Sequence, residues 1–135
     1  MDGDECMIKY NFSIGRTIIR VSGKVFSLLD EFISDIRDKG LERYIEKNKL
    51  DEIEIIYPEI ESRLYLYMIC KHTKPSKKSL VRLLNDLVKL NNLLYSVYVS
   101  MYAYDMYSKE TKIIERIMSA IDYISDMIQT LISTK

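Results

Sequence analysis

The chain has 135 residues, of which 47% are hydrophobic and 30% are charged. This length and composition are typical of one folded domain and exclude a disordered chain. Twenty basic residues balance twenty acidic residues, so the net charge provides no general attraction to nucleic acid or to an anionic membrane. We therefore expect a single domain over residues 1–135, in which any charge-driven function requires a local patch.

The sequence contains no signal for export or membrane insertion. No apolar run approaches the ~20 residues that a membrane-spanning helix needs. The first residues are acidic, whereas a signal peptide begins with a basic segment. Cys6 and Cys70 are the only cysteines and do not make a disulfide scaffold. We therefore expect a soluble, intracellular protein of the cytoplasm, with no membrane span.

The first third of the chain predicts two strands and a helix. Apolar residues alternate with polar ones from Met7, and a β-branched run follows Gly15, which predicts a β-hairpin over residues 7–21. Helical spacing returns at residues 25–36, and Gly40 is a plausible helix stop. A short second helical piece is predicted at residues 41–48.

The next segment predicts two more strands. Residues 53–57 alternate between Ile or Tyr and Glu and end at Pro58, which is typical of a strand with one wet face. Residues 63–70 are apolar and aromatic on both faces, as in a central strand buried on both sides. Pro58 as the first residue of a helix over residues 59–71 is the alternative.

The last sixty residues predict a helical hairpin. After a basic linker at residues 73–78, apolar residues recur at alternating steps of four and three, a seam that faces one side of a helix. The seam residues are Leu83, Leu87, Leu90, Leu94, Val97, Met101 and Tyr104, and then Ile114, Ile117, Ile121, Ile124, Ile128 and Leu131. We therefore predict helices over Lys77–Tyr107 and Glu110–Ser133, although residues 95–102 also have strand propensity.

Together these elements predict an α+β fold. About four antiparallel strands in the order ββαββ, with one helix among them, would occupy residues 7–72. The antiparallel hairpin of residues 79–133 would then pack on one face of the sheet.

Evidence for catalysis or a bound metal is weak. Cys70 and His72 would share one face of a strand, as a thiolate and its base must, but no oxyanion loop accompanies them. Three Cys or His residues are too few for a structural zinc site. Carboxylates also cluster at residues 51–61, where paired acids could act in catalysis or bind a metal, but a solvated face is the simpler explanation. They are Asp51, Glu52, Glu54, Glu59 and Glu61. We expect no enzyme, no metal and no cofactor.

A basic segment provides an alternative function. Cationic side chains straddle the predicted start of the first long helix, where free backbone N–H groups favour anions. They are Lys71, Lys74, Lys77, Lys78 and Arg82, next to His72. Phosphate or nucleic-acid binding here is possible, but it is not favoured, because the net charge is zero.

The tyrosine-rich end of the first long helix predicts the main function. Tyr95, Tyr98 and Tyr102 line one side of this helix, and hardly any face remains polar, so either the core of the domain, with the tyrosine hydroxyls at the surface, or a partner must cover it. We therefore predict a non-enzymatic interaction module that forms a homodimer or another homo-oligomer, or binds a second protein. The predicted interface residues are Leu94, Tyr95, Tyr98, Met101, Tyr102, Ile117, Ile121 and Ile124.

Overall fold

The computed structural model describes residues 12–69, 76–105 and 108–133, and these ranges form a bundle of helices. The helices are α1 (Phe12–Asp38), α2 (Lys49–Ile69), α3 (Lys77–Tyr104) and α4 (Lys109–Ser133), with a 3-10 turn at Leu41–Tyr44. No β-strand occurs within the described ranges.

The four helices form a closed ring with alternating directions. Each helix packs against its neighbour in the chain, and α1 also packs against α4. Lys39 Nζ lies 2.5 Å from Glu110 Oε1, which joins the end of α1 to the start of α4. The rings of Tyr44 and Tyr104 stack with centroids 4.1 Å apart, which brings the end of α3 to the same end of the bundle. The topology is therefore up-down-up-down.

The two helices of the predicted hairpin are confirmed as α3 and α4, although α3 ends at Tyr104, the predicted end at Tyr107 lies outside the described residues, and the hairpin packs on helices instead of a sheet. All of the predicted seam residues of α4 and all but the last of α3 are fully buried in the core. Tyr104, the exception, is exposed at the end of α3. The hairpin packs against α1 and α2, so its seams are covered by the chain's own first half.

The predicted α+β fold is wrong for the described residues. Residues 12–21, predicted as strand, are part of α1, while the beginning of the predicted hairpin at residues 7–11 lies outside the described residues. In α1 the buried residues Ile18, Val25, Leu29 and Ile36 recur at steps of seven and four, which is one face of a helix. Burial on this face outweighs the strand propensity of the β-branched run, as tertiary packing commonly does.

The two strands predicted after residue 52 are also wrong, because residues 49–69 form α2. Its buried residues, Leu50, Ile53, Ile60, Leu64 and Met68, lie on one helical face. Pro58 lies inside this helix on its exposed side, where it removes one backbone hydrogen bond. The helical alternative considered for residues 59–71 was therefore nearer to the structure, although α2 begins ten residues earlier.

The helix stop predicted at Gly40 is confirmed, and it begins the turn between α1 and α2. Gly40 has a φ of 67°, a left-handed conformation that ends the helix after Asp38. Arg37 then clamps the turn, since its guanidinium donates to Glu42 at 2.7 Å, to Asp51 at 3.0 Å and to Glu54. These carboxylates raise the pKa of Arg37, with Glu54 contributing most.

Candidate functional site

The structure separates the predicted interface residues into two groups. Five of them have fully buried side chains inside the bundle: Leu94, Met101, Ile117, Ile121 and Ile124. The other three, Tyr95, Tyr98 and Tyr102, lie at the surface of α3 on the side that faces α4. A partner can therefore reach the tyrosines, whereas the buried group contributes to the stability of the folded chain.

Helix α3 carries a second apolar seam beside its buried one. Val81, Val88, Tyr95 and Tyr102 follow one another at intervals of seven residues and are 38%, 49%, 59% and 44% exposed. Leu84, Asn91 and Tyr98 lie between them and are half-buried. We call these seven residues, from Val81 to Tyr102, the outer seam. The 3-4 spacing is that of a coiled-coil surface that meets another helix.

The tyrosines of the outer seam stack along the helix. The ring centroids of Tyr95 and Tyr98 are 6.1 Å apart with an interplanar angle of 28°. Those of Tyr98 and Tyr102 are 5.7 Å apart at 42°. Offset and tilted rings at these distances attract one another, so the three side chains form one continuous aromatic surface.

Polar contacts to α4 hold the inner edge of the outer seam in place. The Tyr98 hydroxyl donates to Glu115 Oε1 at 3.0 Å, and this bond is the main reason that the pKa of Tyr98 is raised. Asn91 Nδ2 donates to Asp122 Oδ1 at 2.8 Å and to the Met118 carbonyl at 3.3 Å. The seam is thus a fixed surface whose tyrosine rings are already oriented.

Three other exposed tyrosines of the described ranges, Tyr44, Tyr104 and Tyr123, do not extend this surface. Tyr44 and Tyr104 stack on each other at the end of the bundle, and the Arg43 guanidinium lies 5.0 Å from the Tyr44 ring centroid. Tyr123 is 52% exposed on α4. Its chain neighbour Asp122 contacts the seam, but adjacent residues of a helix lie about 100° apart around its axis, so Tyr123 lies on a different side of α4.

The predicted anion-binding segment is only partly described. Lys77, Lys78 and Arg82 are exposed on the first turns of α3, and Ser76 caps this helix by accepting from the Ser79 N–H at 3.0 Å. Lys71 and Lys74 lie outside the described residues. Anion binding at this segment stays a prediction.

The residues considered for catalysis or metal binding form no such site in the described ranges. Cys70 and His72 lie outside the described residues. Among the carboxylates of α2, Asp51 and Glu54 bind Arg37. Burial raises the pKa of Glu61, and the nearby charge of Asp30 adds to this. No group of three or more His, Cys, Asp or Glu side chains within the described residues is arranged to hold a metal ion.

Comparison of the chain with protein-family models, with curated proteins and with solved structures finds no match. Among the described helices, none is both long enough and apolar enough to cross a membrane. The outer seam of α3 is therefore the feature from which a function is argued.

Proposed function

We propose that this chain is a non-enzymatic interaction module that self-associates through the outer seam of α3. One observation carries the proposal: α3 has a complete buried seam that faces its own bundle and a second, exposed seam with the same 3-4 spacing. Folding of the monomer explains the first seam. It leaves the second, with four exposed large apolar side chains in heptad order, in water.

A second copy of the chain fits the outer seam because of the order of side-chain sizes along it. Valines occupy the first half, at Val81 and Val88, and tyrosines occupy the second half, at Tyr95 and Tyr102. Antiparallel pairing of two α3 helices therefore sets Tyr95 against Val88 and Tyr102 against Val81, while Tyr98 meets Leu84. Asn91 lies midway along the seam, so a two-fold axis there brings the two Asn91 side chains together.

Two carboxylates of α4 border the outer seam. The nearest carboxylates on α4 that contact seam residues are Glu115 and Asp122. Each already accepts a hydrogen bond from a seam side chain, Tyr98 and Asn91 respectively. Tyrosines suit a reversible interface, because the ring buries apolar area while its hydroxyl group stays hydrated.

The contact is small, so the dimer should be weak. The outer seam is about 30 Å long at 1.5 Å per residue. One pair of helices of this length buries less than the ~1,600 Å² of a standard stable interface. We therefore expect reversible dimers in the micromolar range rather than a permanent complex.

Sedimentation velocity across the micromolar range tests the proposal, since the sedimentation coefficient of a reversible dimer rises with concentration. Because the seam is apolar, the dissociation constant should change little between low and moderate salt. Binding of phosphate or nucleic acid by the basic segment would instead weaken steeply with salt. A monomer at every concentration contradicts the proposal.

A further inference from the structure

A groove lies between α1 and α4, on the side of α4 that faces away from the outer seam. Its volume is about 1070 Å³. Two half-buried apolar side chains, Leu28 and Ile113, form its floor, above the fully buried Phe32. Its walls have opposite charge: acidic residues of α1 stand on one side and basic residues of α4 on the other, namely Glu31 and Asp35 against Lys109, Lys112 and Arg116.

The opposite charges of this groove do not neutralise each other across it. Lys39 and Glu110 join α1 to α4 at the end of the bundle. Further along, Glu31, Lys112 and Arg116 have no ion-pair partner within 4.0 Å in the described part of the chain, and all are exposed. The two walls therefore stand apart and leave the apolar floor open between them.

The other three helix interfaces are closed by side chains that cross them. Tyr57 donates to Asp30 between α1 and α2, and Arg63 donates to Asp86 between α2 and α3. Tyr98 and Asn91 cross between α3 and α4. The middle of the α1–α4 interface thus differs from the other three interfaces between the described helices. Its charged side chains line the interface but do not bridge it.

We propose that this groove binds an amphipathic helix of a partner protein. The apolar stripe of that helix lies on Leu28 and Ile113. Its basic flank faces the acidic wall of α1, and its acidic flank faces the basic wall of α4. A groove with both signs of charge selects a ligand that carries both signs. A simple anion or a polybasic segment carries only one of them. Helix-in-groove recognition uses this combination of an apolar stripe and charged flanks.

The groove is long enough for about two turns of such a helix. Its lining spans Leu28–Asp35 on α1 and Lys109–Arg116 on α4, which is about two turns of each helix. A shallower depression continues from it along α1 past Gly23 and Ser27. These are small residues, so a docked helix can approach α1 closely at this end.

A designed peptide provides the probe. It has leucines at 3-4 spacing, lysines along one flank and glutamates along the other, and its binding is followed by fluorescence anisotropy. We expect saturable binding that weakens about fivefold in Glu31→Lys and in Lys112→Glu, since each change turns an attraction at the rim into a repulsion. Glu46→Lys is the matched control, because Glu46 is exposed outside the groove and undergoes the same change of charge.

A second peptide, with glutamates on both flanks, makes the test specific to charge. It should bind Glu31→Lys more tightly than the unchanged chain, the reverse of the first peptide. Absence of saturable binding, or equal binding of the first peptide to Glu31→Lys and Glu46→Lys, overturns the proposal. Sedimentation of the peptide-free chain should be the same with and without Glu31→Lys. A difference would show that a second copy occupies the groove, and this too overturns the proposal.

Discussion

The Tyr98 hydroxyl donates a hydrogen bond of 3.0 Å to Glu115 Oε1, and this bond ties the aromatic surface of α3 to α4. The carboxylate favours the protonated phenol, so the pKa of Tyr98 is raised above its ordinary value, with burial and the charge of Glu115 adding to the effect. The orientation of the central tyrosine of the outer seam thus depends on a neighbouring helix.

Replacing the acceptor should return the pKa of Tyr98 towards its ordinary value. We expect Glu115→Gln to lower it in an NMR titration, while Asp122→Asn, which alters the Asn91 contact on the same helix, leaves it unchanged. Because the folded pKa lies above the unfolded one, the stabilisation by this bond is present below the unfolded pKa, about 10. It is lost as the pH rises through the folded pKa. An unchanged pKa in Glu115→Gln contradicts this account.

Core and surface residues of the hairpin should respond differently to truncation. Ile121 is fully buried, so Ile121→Ala should lower the free energy of unfolding by about 2–5 kcal/mol through lost burial and a residual cavity. Tyr95 is 59% exposed, so Tyr95→Ala should change the free energy of unfolding of the monomer by less than about 0.5 kcal/mol. Urea denaturation at low protein concentration measures both. A large loss of stability in Tyr95→Ala would place Tyr95 in the core.

Two glycines should respond in opposite ways to alanine. Gly23 lies within α1, and a Cβ atom there would meet nothing within 4 Å beyond its chain neighbours and the backbone of its own helix, so Gly23→Ala should stabilise the fold by about 1 kcal/mol. Gly40 has a φ of 67°, so Gly40→Ala should destabilise it by about 1 kcal/mol. Urea denaturation of both variants provides the comparison. Destabilisation by Gly23→Ala would contradict a continuous α1.

The different outcomes for the two halves of the chain have a physical cause. In α3 and α4 the 3-4 repeat is unbroken over many turns, and it predicts these helices correctly. In α1, Gly15 and Gly23 resemble turn residues, and β-branched residues between them favour strands locally. Burial of Ile18 in the core, in helical register with Val25 and Leu29, outweighs these local signals.

The outer seam was predicted in part. Helical spacing places Tyr95, Tyr98 and Tyr102 together, but the prediction did not include Val81 and Val88. These valines follow the buried leucines at an offset of one residue, so the spacing itself could have found them. Which of two adjacent seams is covered depends on how all four helices pack, and this is why buried residues such as Leu94 were predicted as interface.

Cross-linking tests the antiparallel pairing in a protein in which Cys6 and Cys70 are replaced by serine. Asn91→Cys should form a disulfide dimer with itself, since it lies near the two-fold axis. Val88→Cys should cross-link with Tyr95→Cys but not with itself. Non-reducing electrophoresis after mild oxidation measures both. If dimers form but each single-cysteine protein links only to its own kind, the pairing is parallel while self-association stands.

Sedimentation velocity of three charge variants tests the proposed self-association most directly. Tyr95→Glu and Tyr102→Glu place a carboxylate in the outer seam, and Tyr123→Glu places one at a similarly exposed tyrosine of α4. The unchanged chain and Tyr123→Glu should show the same concentration-dependent dimerisation. Tyr95→Glu and Tyr102→Glu should remain folded monomers by circular dichroism. Equal dissociation constants for all four proteins, or a monomeric unchanged chain, would contradict self-association through the outer seam.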